Sequence, residues 1–216
     1  RLTDADIAEI EAALEVADKT AKETRDLLPT DFPLPTLSKK IAIWREQVRD
    51  GRGFQVVRGV PVQKWSQQKA ERFFWCFGLH MGRPGGQNQS GDLLGHVRSL
   101  KKASEPDALS RLYMTASNID YHCDGADVVG LLCLNKAKTG GRSRIVSSVT
   151  VFNELMEKRP DLAKRLFNPV KLDIRNENSN SGRHYINVTP CRYAKGKLYT
   201  FYHADYFRSV QRHEDV

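Results

Sequence analysis

From Asp4 to about Leu28, apolar residues fall at Ile7, Ile10, Ala13, Leu14 and Ala17, three- and four-residue steps that place them on one face of a helix. Thr3 stands where an N-cap is needed. After the turn-rich stretch from Pro29 to Pro35, Thr36 can cap a second helix carrying Leu37, Ile41, Ile43, Trp44 and Val48 and ending near Gly51. Gly53 to Val60 is rich in β-formers and bounded by glycines, which predicts a first core strand. Ser66 opens a third helix, in which Phe73, Phe74, Trp75 and Phe77 form a bulky apolar surface suited to core packing.

Beyond Gly82 the period changes. Short runs separated by turn residues predict strands at Leu93 to Val97, Leu112 to Thr115, Val128 to Leu134, Ile145 to Val149, Val170 to Ile174, Tyr185 to Val188 and Leu198 to Tyr202. A helical interlude interrupts them from Val151 to Lys158, and Pro160 then takes the first position of a short helix reaching about Phe167. The pattern predicts a mainly β chain with flanking helices, an α+β arrangement whose strands suit a sandwich, jelly roll or barrel. No linker divides it, so residues 1–216 are expected to form a single domain, helical over 1–50 and β-rich over 51–216.

Composition narrows the setting. With 40% hydrophobic and 28% charged residues, the chain can bury a core, and no apolar run reaches the roughly 18 residues of a membrane span. Cys76, Cys123, Cys133 and Cys191 have irregular spacing and no C-x-x-C pair, which fits a reducing, cytoplasmic setting better than a disulfide scaffold. The net charge of +8 would suit an anionic ligand, but the basic residues are dispersed in short groups such as Lys39-Lys40 and Lys101-Lys102. The expected partners are therefore a small molecule, without nucleic acid or membrane, and homo-oligomers remain open.

The densest chemistry lies between Asn118 and Leu134. In an extended segment, residues i and i+2 share a face, so His122 and Asp124 would present an imidazole and a carboxylate side by side, about 7 Å apart at their α-carbons. Such a pair suits two ligands of one metal, and a third from elsewhere would complete a 2-His-1-carboxylate face with open positions. By composition alone, six histidines and fifteen aspartates would yield H-x-D roughly 0.4 times, so the spacing needs its context. That context is an apolar run ending at Leu134, a Gly140-Gly141 turn, and hydroxyls at Ser143 and Ser147.

These residues carry a resemblance. Asn118-x-x-Tyr121-His122-x-Asp124, Gly140-Gly141-Arg142-Ser143, Val146-Ser147-Ser148-Val149, Asn153-Glu154-Leu155 and Arg159-Pro160-Asp161-Leu162 resemble the taurine dioxygenase-like (TauD/TfdA) family. The similarity extends upstream through Gly51-Arg52-Gly53-Phe54, Arg58-Gly59 and Gly91 to Val97. The resemblance implies a double-stranded β-helix, or jelly roll, and an Fe(II)- and 2-oxoglutarate-dependent dioxygenase that hydroxylates a small anionic substrate with O2, releasing succinate and CO2.

It further implies that His122 and Asp124 are iron ligands and that Ser143 hydrogen-bonds a carboxylate of 2-oxoglutarate, although a strand-end hydroxyl is the plain alternative for Ser143. Asn118 matches a substrate-contacting asparagine, with a turn former as its alternative. Arg83-Pro84 stands where taurine-oxidising relatives carry His-Pro, so taurine itself is not expected, and Arg83 can pair with another anionic substrate or lie solvated. The family's distal histidine, followed about eleven residues later by a 2-oxoglutarate-clamping arginine, has no match here. The expected β-helix is therefore incomplete at the C-terminus, with both residues beyond Val216. His184, His203 and His213 are expected to be surface or hydrogen-bonded side chains.

Two rival readings use the same residues: a non-catalytic β-helix binding domain or truncated inactive fragment, and a zinc enzyme of hydrolytic or isomerising chemistry. Neither G-x-S-x-G nor G-x-x-x-x-G-K-[ST] occurs to support commoner catalysis.

Overall fold

The computed structural model describes residues 1–88, 91–98, 118–175 and 182–213. The chain divides into two compact units, one of residues 1–86 and 127–142, the other of residues 87–126 and 143–216.

The first unit is built on three helices, α1 (Asp4–Lys19), α2 (Leu37–Arg49) and α3 (Gln67–Met81). Thr3 caps α1 as expected. Its hydroxyl accepts from the Asp6 N–H at 3.2 Å, while the Asp6 carboxylate accepts from the Thr3 N–H at 2.8 Å, closing a reciprocal capping box. Thr36 occupies the N-cap position of α2 without using its side chain. Glu9 of α1 supplies that function instead, accepting from the backbone N–H groups of Thr36 and Leu37 at 2.8 and 2.9 Å. Ser66 caps α3 by accepting from the Lys69 N–H at 3.1 Å. The facing stripes bury Ile10, Leu14, Leu27, Phe32, Leu37, Ile41, Phe73 and Cys76 in one core. Phe74 and Phe77 pack partly buried against it, as the α3 surface predicts.

In the second unit, α4 (Ser148–Lys158) and α5 (Pro160–Arg165) precede two antiparallel pairs. β1 (Val170–Asp173) pairs with β2 (Tyr185–Val188), Val170 opposite Val188. β3 (Cys191–Ala194) pairs with β4 (Lys197–Thr200), Cys191 opposite Thr200. The β3–β4 connection is the two-residue turn Lys195-Gly196, with φ of 50° and 72°, the left-handed geometry that matches strand twist in a tight hairpin. A small core joins Phe152, Ala163 and Cys191 with Leu155, Phe167 and Leu198. The helix α6 (Ala204–Ser209) follows β4 and packs on β1.

Among the described residues helix outweighs strand, which corrects the expectation of a mainly β chain. Strands form where expected at β1, β2 and β4, and β3 was not foreseen. Gly53 to Val60 is irregular, with Gly53 and Gly59 at φ of 83° and 96° bending it at both ends, and its backbone reaches Leu2 through one bond, Leu2 N–H to the Arg58 carbonyl at 2.8 Å. Val128 to Leu134 is not a strand either. It lies against the helices of its own unit: Leu132 packs on the helical core, Gly130 faces the Phe74 ring so closely that a β-carbon would sit 3.3 Å from it, and the Gln63 amide donates to the Leu134 carbonyl at 2.8 Å.

Leu93 to Val97 forms no strand. Ile145 to Val149 is interrupted because Ser147 becomes the N-cap of α4, accepting from the Thr150 N–H at 3.2 Å. The expected strand at 112–115 lies outside the described residues. No helix among those described is long and apolar enough to cross a membrane.

Candidate metal centre

His122 and Asp124 belong to the second unit and lie on a loop that touches the end of the β3–β4 hairpin. The local fold follows from two backbone contacts. His122 forms an isolated antiparallel bridge with His203, and the Cys123 N–H donates to the Tyr202 carbonyl at 2.7 Å. The segment after β4 thereby fixes the backbone of the H-x-D motif.

With that backbone held, His122 Nε2 lies 3.9 Å from Asp124 Oδ1. This is beyond a direct hydrogen bond. Two donors each about 2.1 Å from one ion and cis to each other lie about 3.0 Å apart, so the pair, now 3.9 Å apart, shares an ion on one face only after the side chains close by roughly 0.9 Å. The His122 side chain is 29% exposed and that of Asp124 56%, so the pair is open to solvent on one side. His122 Nδ1 lies 2.8 Å from the Asp120 carbonyl oxygen. A carbonyl only accepts, so Nδ1 is the donor, and in the neutral ring the lone pair is then on Nε2, the arrangement a metal-binding imidazole needs.

His203 had been expected as a surface or hydrogen-bonded side chain. It is instead half-buried, with its ring centroid 4.8 Å from that of His122 and 4.3 Å from that of Tyr206. Its Nδ1 is buried and makes no hydrogen bond. Burial lowers its pKa below the ordinary imidazole value; the facing His122 adds to the effect, Asp205 opposes it, Arg175 reinforces it and Asp124 opposes it. Beyond Tyr206, the Arg175 guanidinium stacks 4.3 Å from the ring centroid, and Arg175 adopts a left-handed φ of 45°. No spacing in the sequence signals the approach of His203 to His122. The only hint was that the strand ending at Tyr202 stops just before it.

Two further histidines of this unit pair elsewhere. His184 and His213 stack at 5.0 Å, and His213 Nε2 lies 3.7 Å from the buried carboxylate of Asp173. Ser143 is exposed and sits just beyond the Gly140-Gly141 turn, whose φ values of 70° and 67° require residues free of a β-carbon penalty. Asn118 is exposed at the start of the H-x-D segment. Arg83 belongs to the first unit, exposed just past α3. Among the described residues no three His, Cys, Asp or Glu side chains are gathered so as to hold a metal ion. The donors that fit are thus two, a nitrogen and an oxygen, of the kinds that non-haem Fe(II) takes.

A family model for taurine catabolism dioxygenase TauD, TfdA family, matches residues 21–199. The chain belongs to the TauD/TfdA family. Among relatives, the chain is 31% identical over 170 residues to the FR-33289 synthase of Streptomyces rubellomurinus, a match covering 79% of this chain and 50% of that protein. It is also 31% identical over 173 residues to the taurine hydroxylase-like protein SAT17 of Stachybotrys chartarum, covering 76% of this chain and 44% of that protein. The chain therefore spans about half the length of these curated relatives. The H-x-D pair lies inside the matched TauD/TfdA region.

Proposed function

We propose that the protein acts as an Fe(II)- and 2-oxoglutarate-dependent dioxygenase hydroxylating a small anionic organic substrate, on the double-stranded β-helix frame of its family. The supporting observation is the facing of His122 Nε2 and Asp124 Oδ1 at 3.9 Å within the region that matches the family model. Ferrous iron and 2-oxoglutarate, when bound, would supply O2-dependent oxidation of a C–H bond, with succinate and CO2 as the co-substrate's products.

The chain's own residues hold and orient. His122 donates through Nε2 because its Nδ1 proton is committed to the Asp120 carbonyl. Asp124 supplies the anionic oxygen, which offsets part of a divalent charge. The Ser143 hydroxyl is assigned to a carboxylate of 2-oxoglutarate, and Asn118 and Arg83 to the primary substrate. The net charge of +8 favours approach of dianionic 2-oxoglutarate, an attraction that salt weakens. Fixing both molecules beside the pair is where positioning lowers the barrier.

The test is succinate formation from 2-oxoglutarate by the full-length protein with Fe(II) and O2, against His122→Ala and Asp124→Ala. A loss of about a hundredfold or more in both variants is expected. Equal turnover in all three would remove both residues as ligands.

A further inference from the structure

We propose that His203 is a positioning residue for His122: its ring, backed by Tyr206, forms the wall against which the His122 imidazole is held for metal binding. The proposal rests on the reading of His122 as an iron ligand. Three observations carry it. The two residues are bridged through their backbones, and the adjoining Cys123 N–H to Tyr202 carbonyl bond at 2.7 Å fixes the register of that bridge. Their rings lie 4.8 Å apart at an interplanar angle of 39°, which is contact through ring faces and edges.

The His203 ring is itself immobilised from its other side by an edge-on Tyr206 at 4.3 Å and 65°, and Tyr206 is covered in turn by the Arg175 guanidinium at 4.3 Å. The result is a continuous stack, His122, His203, Tyr206, Arg175, ending on a strand-derived segment just past β1. Rotation of the His122 ring out of line would have to part this stack. The Asp120 carbonyl holds Nδ1 at 2.8 Å, so ring face and ring edge are both restrained.

The unpaired buried Nδ1 of His203 makes the role separable from ligation. His203→Phe keeps an aromatic wall while removing both ring nitrogens, of which the buried Nδ1 makes no hydrogen bond, so the fold should tolerate it. His203→Ala removes the wall.

The experiment titrates the full chain with Co(II) alone, read by its visible absorption, in wild type, His203→Phe, His203→Ala and His122→Ala. His203→Phe should bind within about threefold of wild type, and His203→Ala about tenfold or more weakly, the range typical of groups that orient a ligand. Wild-type affinity in His203→Ala would overturn the proposal. So would equal losses in His203→Phe and His203→Ala, since these would make His203 a ligand through nitrogen. Without metal, NMR cross-peaks between the His122 ring and the residue-203 ring should appear in wild type and in His203→Phe, and their absence would also overturn the proposal. Unchanged Co(II) affinity in His122→Ala would instead defeat the reading of His122 as a ligand, while the metal-free cross-peaks report the ring contact independently.

Discussion

His122 Nδ1 and the Asp120 carbonyl oxygen are 2.8 Å apart, two residues from each other along the same loop. The acceptor fixes both the tautomer of the neutral ring and the ring orientation, which leaves Nε2 facing Asp124. Asp120 is itself tied to α6, its carboxylate 3.3 Å from the Arg208 guanidinium. A neutral His122 ring should therefore carry its proton on Nδ1, as read from two-bond nitrogen–proton correlations on labelled histidine. A dominant Nε2–H form would contradict the arrangement. Because the Arg208 side chain is 69% exposed, Arg208→Ala should change stability by less than about 1 kcal/mol while increasing mobility of the loop.

The capping box of α1 gives a prediction in the first unit. Asp6 is 3% exposed and receives the Thr3 N–H at 2.8 Å and the Lys40 ammonium at 2.7 Å. The Lys40 hydrogen bond is the main reason its carboxyl pKa falls to about 2, with the Thr3 N–H adding to it against the opposing effect of burial. A depressed folded-state pKa stabilises above the ordinary aspartate value and loses that contribution as pH falls toward the folded value. Asp6→Ala should thus cost about 1–2 kcal/mol near neutral pH, and the difference from wild type should shrink between about pH 4 and pH 2 in urea titrations. A difference independent of pH would assign the loss to packing alone.

Thiol chemistry should separate the cysteines. Cys76 is fully buried in the helical core, and desolvation pushes its thiol pKa up to about 12, whereas Cys133 is exposed. The thiolate is the reactive form, so alkylation at pH 8 should label Cys133 rapidly and Cys76 only in denaturant, as mapped by peptide mass analysis. Early modification of Cys76 would show that the α1–α3 core opens under native conditions.

The helices were legible because period and boundary agreed. Thr3, Ser66 and Ser147 each accept the N-terminal N–H expected of a cap, and Pro160 starts α5, although Ser147 had been read as a strand residue. Apolar runs were less informative. Val128 to Leu134 has the composition of a buried strand, but the same residues can lie on a helical layer, and Leu132 does so. β3 escaped notice because Cys-Arg-Tyr-Ala is only four residues long, too short for its alternation to stand out, and the hairpin depends on Lys195 accepting a left-handed φ. At the candidate centre, the local pair His122 and Asp124 could be read from spacing. The approach of His203 could not, because it arises from chain pairing between segments distant in sequence.

Asp173 tests how the second unit is held together. It lies on β1 with no exposed surface, its Oδ1 accepting from the Arg175 N–H at 2.8 Å and from the Arg212 guanidinium at 3.1 Å, with His213 Nε2 at 3.7 Å. Burial alone would raise its pKa, but the Arg175 N–H, the Ser209 hydroxyl and the charges of Arg212 and His213 together outweigh it and leave the carboxyl below its ordinary value. The contribution of the ionised group is present above the ordinary aspartate range and is lost as pH falls through the folded value.

Asp173→Asn keeps an oxygen for the Arg175 N–H and should cost about 1–2 kcal/mol, whereas Asp173→Ala also leaves that N–H and Arg212 without their acceptor and should cost about 2–4 kcal/mol. Arg212 is 28% exposed and can turn toward water, which keeps the loss below that of a fully buried pair. Urea denaturation at pH 7 orders the variants, and repetition at pH 3 should narrow the gap between Asp173→Asn and wild type. Equal stability of Asp173→Ala and wild type at pH 7 would mean that β1 and the C-terminal turn are held by apolar packing, with the carboxylate contributing nothing.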